Sequence, residues 1–216
     1  GAVGFSRLKA VIGPTANRYN VSYTIPNKTG RYNITFEAND TSNNKNATVK
    51  TYFIVADKNK PNVYDYRPKS TQRYNTSGTA TIAVNVTDTI AVSQVYVNLT
   101  RPAGLGLLRI KLILGPTANR SNATYAIPSN VKGIFNITFE ANDTSNNKNA
   151  TVKTFFNVSD NTKPLVSDFR PLNNQQYNVG GNAFLNVNVT DNIAVSQVWA
   201  NLTIPKHAMV RVQLRI

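Results

Sequence analysis

The chain has 216 residues, 24 of them basic and 10 acidic, a formal charge of +14, one histidine and no cysteine. Without thiols it forms no disulfide and no thiolate metal site. The lone His207 and the few carboxylates offer little for a hydrolytic triad or a carboxylate pair, so no enzymatic activity is expected.

In chain order, the sequence opens on an unpatterned segment followed by GPTANR at residues 13–18. Tyr23 and Ile25 then share a phase, with Asn20, Ser22 and Thr24 opposite, and a turn covers residues 27–30. Tyr32, Ile34, Phe36 and Ala38 alternate with Asn33, Thr35 and Glu37; after the TSNNKN loop, Ala47, Val49, Thr51, Phe53 and Val55 share the next phase. Asp57 lies in a linker before Lys60-Pro61. Ile82, Val84 and Val86 alternate with Asn85 and Thr87, and Asp88 stands at the following corner. Ile110, Leu112 and Leu114 alternate with Arg109 and Lys111. A period of two throughout, broken by turn residues every ten or so positions, predicts short antiparallel strands and no amphipathic helix. No apolar run is long enough for a membrane-spanning helix.

At residue 115 the series starts again. GPTANR recurs at residues 115–120, the nineteen residues 33–51 recur unchanged at 136–154, and VTDTIAVSQVYVNLT at 86–100 returns as VTDNIAVSQVWANLT at 189–203. The offset is 102 residues at the first and 103 at the others, which places a one-residue insertion near Val131. A repeat of this length is a small domain rather than a solenoid unit. The chain is expected to start and stop inside a repeat, so that the segments at either end are parts of domains.

The 31 Asn and 35 Ser plus Thr form sixteen Asn-x-Ser/Thr triplets, at Asn20, Asn27, Asn33, Asn39, Asn46, Asn75, Asn85, Asn98, Asn119, Asn122, Asn136, Asn142, Asn149, Asn157, Asn188 and Asn201. Random placement gives roughly five, so N-glycan acceptors, and with them an exported cell-surface protein, are expected. The density of acceptors leans towards an archaeal source. Asn33, Asn85, Asn98, Asn136, Asn188 and Asn201 all fall in the polar phase of predicted strands, as a glycosylated position requires.

Certain residues carry a family resemblance. Lys60-Pro61-Asn62-Val63 and Lys163-Pro164-Leu165-Val166 resemble the entry to the first strand of bacterial and archaeal immunoglobulin-like domains strung along surface proteins. The segment 189–198 is similar to that family's corner between its second and third strands, and 32–40 to the strand before its Gly-Asn loop, with Asn43 where Gly is usual. The resemblance implies tandem all-β immunoglobulin-like sandwiches: residues 1–58 the C-terminal half of one domain, 59–160 a complete domain, and 161–216 the N-terminal half of another.

Half a sandwich leaves apolar faces bare. Ile34, Phe36, Val49 and Phe53 on one side, and Leu185, Val187, Val189 and Val198 on the other, are expected to be covered by a neighbour, either another copy joined head to tail or a covalent continuation. Acidic residues at junctions and corners (Asp40, Asp57, Asp88, Asp143, Asp160 and Asp191) are candidate Ca²⁺ ligands, weighed against a role as turn caps. Tyr96 and Trp199, in equivalent outward positions, are candidates for stacking on a sugar or neighbouring domain. The scattered basic residues, with no run above two, argue against nucleic acid; acidic glycans or other cell-surface components suit diffuse positive charge better. The function expected is a structural module of a glycosylated extracellular filament, sheath or surface layer, assembled head to tail through completion of the half-domains, with a stalk or ligand-binding segment of a cell-surface adhesin as the alternative and an accessory module of a secreted enzyme a third reading.

Overall fold

The computed structural model describes residues 4–115, 117, 119–205 and 207–215, all strand, turn and coil, with no helix among them. They fall into two compact units, Gly1–Asn59 and Lys60–Ile216.

The first unit holds three small antiparallel pairs. β1 (Val11–Ile12) pairs β2 (Tyr19–Asn20), β3 (Gly30–Thr35) pairs β6 (Lys50–Val55), and β4 (Ala38–Asn39) pairs β5 (Lys45–Asn46). Tyr32 and Phe53 stack with ring centroids 5.1 Å apart, and Tyr23 leans on Tyr32 at 6.4 Å. The predicted run through Tyr32 and Ala38 is interrupted at Phe36 and Glu37, because β3 has a ladder on one side only.

The second unit opens with a sandwich. Its strands are β7 (Asn62–Arg67), β8 (Arg73–Asn75), β9 (Thr79–Thr87), β10 (Val92–Arg101), β11 (Gly106–Lys111), β12 (Ile113–Leu114), β13 (Arg120–Ala126), β14 (Gly133–Asp143), β15 (Lys148–Asn149) and β16 (Lys153–Ser159). One sheet runs β11-β10-β14-β16-β8, with β15 on β14; the other runs β12-β13-β9-β7. All pairings are antiparallel except β16 with β8. This is the immunoglobulin-like arrangement of two packed sheets.

Alternation builds the core. Ile82, Val84 and Val86 from β9 meet Val97 and Leu99 from β10 and Phe135, Ile137 and Phe139 from β14, all buried. Phe135 and Phe156 stack at 4.9 Å with Tyr125 beside them at 5.9 Å, the same aromatic set as Tyr32, Phe53 and Tyr23. Every fully buried member of the apolar cluster lies between Val63 and Val158. Each large aliphatic or aromatic side chain so buried contributes about 1.5–3 kcal/mol relative to exposure.

One predicted strand is corrected. Ile110, Leu112 and Leu114 do not share a single strand. The ladder breaks at Leu112, whose N–H donates to the Val95 carbonyl at 2.9 Å, and the chain passes from the sheet of β11 to the sheet of β12. Leu112 is buried there while Leu114 is exposed. An alternating pattern does not reveal a change of sheet.

Beyond the sandwich, β17 (Leu165–Arg170) pairs β18 (Asn186–Thr190), and β19 (Val198–Leu202) pairs β20 (Val210–Leu214). The bulge in β7 recurs in β17: the register slips between Tyr64 and Arg67 and between Ser167 and Arg170. Asp65 (φ 43°) and Asp168 (φ 42°) take left-handed backbone at those points, as bulges often require.

Candidate functional site

The open strand edges are the most distinctive surface. β10 is flanked by β11 and β14, and β9 by β7 and β13. Among the described residues their sequence counterparts are not so enclosed: β19 pairs only β20, β18 only β17, and β3 only β6. Apolar side chains follow suit. Phe36 and Val49 are exposed, and Ile34 and Phe53 half-buried, where Ile137, Phe139 and Phe156 are buried. Leu185, Val187, Val189 and Val198 are half-buried, where Ile82, Val84, Val86 and Val95 are buried. These four line an open cleft of about 640 Å³ between the β17–β18 and β19–β20 pairs, together with Ala200 and Leu202.

The sixteen asparagines of the Asn-x-Ser/Thr triplets are all exposed or half-buried. Asn20, Asn27, Asn33, Asn39 and Asn46 in the first unit are exposed, as are Asn75, Asn119, Asn136, Asn188 and Asn201 in the second; Asn85, Asn98, Asn122, Asn142, Asn149 and Asn157 are half-buried. Several are engaged. The Asn149 amide nitrogen donates to the Pro61 carbonyl at 2.8 Å, while its oxygen accepts from the Thr151 N–H and hydroxyl. The Asn85 oxygen accepts from Arg120 at 3.0 Å. Asn122 folds over Gly115, so closely that a Cβ at residue 115 would lie 2.5 Å from its amide nitrogen.

The acidic candidates serve turns. Asp88 and Asp191 each accept two backbone N–H groups of their corner, from Ile90 and Ala91 and from Ile193 and Ala194. Asp57 accepts from the Asn59 N–H, and Asp160 from the Thr162 N–H. Asp143 is buried; it accepts from the Ser145 and Asn147 N–H groups through one oxygen and from the Asn147 amide through the other. Burial pushes the Asp143 carboxyl up, but these hydrogen bonds outweigh it and hold it below the usual aspartate value. Asp40 makes the same contacts with Ser42 and Asn44, and its carboxyl is likewise lowered, chiefly by the Asn44 side chain. Within the second unit, carboxylate oxygens of Asp88 and Asp143 lie within 4.8 Å of each other. Both oxygens of Asp143 are already in hydrogen bonds, and Ca²⁺ takes six to eight oxygens.

The two aromatic candidates are each capped. The Arg109 guanidinium lies 4.0 Å from the Tyr96 ring centroid and that of Arg211 lies 4.3 Å from Trp199, at cation–π distance. His207 is exposed, its Nδ1 3.0 Å from the Pro205 carbonyl.

A charged cluster surrounds the copy of Glu37, which the alternation marks only as a polar-phase strand residue. Glu140 lies within β14 and is buried, 2.6 Å from Arg109, 2.8 Å from Lys148 and 3.3 Å from the Asn98 amide. Burial raises the Glu140 carboxyl, yet the hydrogen bonds from Lys148 and Asn98 and the charges of Arg109 and Lys148 hold it below the usual glutamate value. Glu37 repeats the motif with Lys45 at 2.7 Å and with Arg7. The available signal was the Glu–Lys spacing of eight residues across the TSNNKN loop in both copies; Arg109, on another strand, gave none.

No family model matches the sequence, and no curated protein does. Among solved structures, the chain is similar to the fibronectin(III)-like modules of Clostridium thermocellum CbhA, at 18% identity and a TM-score of 0.38. The match covers 61% of this chain and 64% of that one, less than two thirds of its length.

Proposed function

We propose that the protein is a structural repeat module of a glycosylated extracellular filament, sheath or surface layer, related to the immunoglobulin-like repeats of bacterial and archaeal surface proteins. Successive sandwiches carry load through their cores, short Pro-containing linkers limit bending, and glycans cover the outward faces. The observation that carries this reading is the repeat itself: one enclosed sandwich is flanked by strands of the same sequence whose apolar faces stand open. The placement of all sixteen acceptor asparagines outside the fully buried class supports the glycan part.

The alternative, an adhesin stalk with a sugar-stacking patch, is less favoured because arginines already occupy a face of both Tyr96 and Trp199. Electron microscopy and intact-mass measurement of native material test the proposal. Filaments or a sheet with an axial spacing of about two domains, and a mass above that of the bare chain, are expected. Dispersed unglycosylated monomers contradict it.

A further inference from the structure

We infer that the open cleft of one copy receives the first unit of a second copy of this chain, in the strand register of the enclosed sandwich; this rests on the proposed role as a repeating structural module. In that sandwich Val95 lies opposite Ala141, Tyr96 opposite Glu140, Val97 opposite Phe139 and Leu99 opposite Ile137. Among the described residues, the strands with the same sequences elsewhere lack these partners. Applying the 103-residue offset to both sides sets Val198 opposite Ala38, Trp199 opposite Glu37, Ala200 opposite Phe36 and Leu202 opposite Ile34. β18 would likewise take β2, as β9 takes β13.

Shape, charge and strand occupancy agree with this register. Val187, Val189, Val198, Ala200 and Leu202 line the cleft, and their counterparts Val84, Val86, Val95, Val97 and Leu99 are core residues packed with Phe139. The exposed Phe36 is the residue that supplies that ring. Arg211 sits on Trp199 as Arg109 sits on Tyr96, and Arg109 continues to Glu140; the register brings Glu37, the counterpart of Glu140, to Arg211. The position beside β19 is filled by β20, whereas residues 4–10, which hold the equivalent place in the first unit's repeat, form no strand. The strand position is therefore open to β20, and Arg211 would take the place that Arg7 holds on Glu37 in the first unit.

The absence of cysteine permits a direct test. Thr35 and Asn201, both exposed, correspond to the directly opposed pair Thr138 and Asn98, and directly opposed residues fall within disulfide range. Two single variants of the 216-residue chain, T35C and N201C, are made without glycans, mixed and oxidised; T35C with Q197C, four residues out of register, is the control. A disulfide-linked dimer from the first mixture at ten or more times the yield of the control is expected. Equal yields, or sedimentation showing assembly without the specific crosslink, overturn the register and leave the structural-module reading standing. A wild-type chain that stays monomeric at high concentration, with no crosslink, overturns the second copy as occupant. Filaments in native material would then point to covalent continuation, and their absence would remove the structural-module reading as well.

Discussion

Phe139 is fully buried and Phe36 is 58% exposed, although both sit in the same nineteen-residue sequence. Local sequence cannot account for the difference. β14 is flanked by β10 and β16, whereas among the described residues β3 has β6 alone, so the facing sheet and the second ladder decide the environment.

Truncation of the two phenylalanines should therefore give opposite results. Phe139→Ala is expected to destabilise the enclosed sandwich by about 3–5 kcal/mol, the range for deleting a buried ring. Phe36→Ala should change the same unfolding transition by less than about 0.5 kcal/mol, as for most surface substitutions. Denaturant unfolding of dilute, unglycosylated protein measures both. Equal losses would mean that Phe36 is already part of a packed core.

The Glu140 cluster predicts acid sensitivity. The folded carboxyls of Glu140 and Asp143 are both held below their ordinary values. A lowered folded value means that the stabilisation is complete above the unfolded value, roughly pH 4 for these acids, and is lost as pH falls through the folded one. Glu140→Gln should cost about 1 kcal/mol at pH 7, a modest figure because Arg109 and Lys148 are half exposed and screened. Melting temperatures from pH 7 to about pH 2 should show the wild type converging on the variant at the acid end. A constant gap would refute the electrostatic account.

What was legible in the sequence follows from periodicity and duplication. Alternation at Ile82, Val84 and Val86 marked the buried face of β9, and the repeated corner motif identified Asp88 and Asp191, both of which cap turns. Two kinds of feature were illegible. A change of sheet at Leu112 leaves the alternating pattern intact. The burial of Glu140 depends on Arg109, thirty-one residues away, reaching across β10; a charged residue in the polar phase carries no mark of a distant partner.

The loop between β14 and β15 contains a backbone test. Asn146 has φ 66° and its repeat counterpart Asn43 has φ 65°, a left-handed conformation that Gly and Asn tolerate and Ala does not. Asn146→Gly should be close to neutral, and Asn146→Ala should cost about 1 kcal/mol. Neither change touches an acceptor triplet, so glycosylation is not confounded. Thermal unfolding of the pair distinguishes backbone conformation from side-chain bonding: equal losses in Gly and Ala would assign the role to the Asn146 side chain instead.

Acceptor geometry also predicts unequal glycan occupancy. A glycan is attached at the asparagine amide nitrogen, so an acceptor whose side chain faces solvent is modified at least cost to the fold. Asn119 and Asn136 are exposed. At Asn149 the nitrogen already donates to the Pro61 carbonyl at 2.8 Å beneath a half-buried side chain, and at Asn142 the amide oxygen is buried without a hydrogen-bond partner. A sugar at Asn149 would have to break that hydrogen bond, and one at Asn142 would sit on a half-buried side chain whose oxygen is already enclosed next to Asp143. Glycopeptide mass spectrometry of native protein is expected to find Asn119 and Asn136 occupied at least several-fold more than Asn142 and Asn149. Because residues 136–154 repeat residues 33–51, cleavage after aromatic residues, which leaves Tyr52 on one peptide and Phe155 on the other, provides an internal control: Asn46 has the same sequence context as Asn149 and is exposed. Occupancy at Asn46 above that at Asn149 would trace the difference to the enclosing sandwich, whereas equal occupancy at the two would show that the sequon alone governs modification.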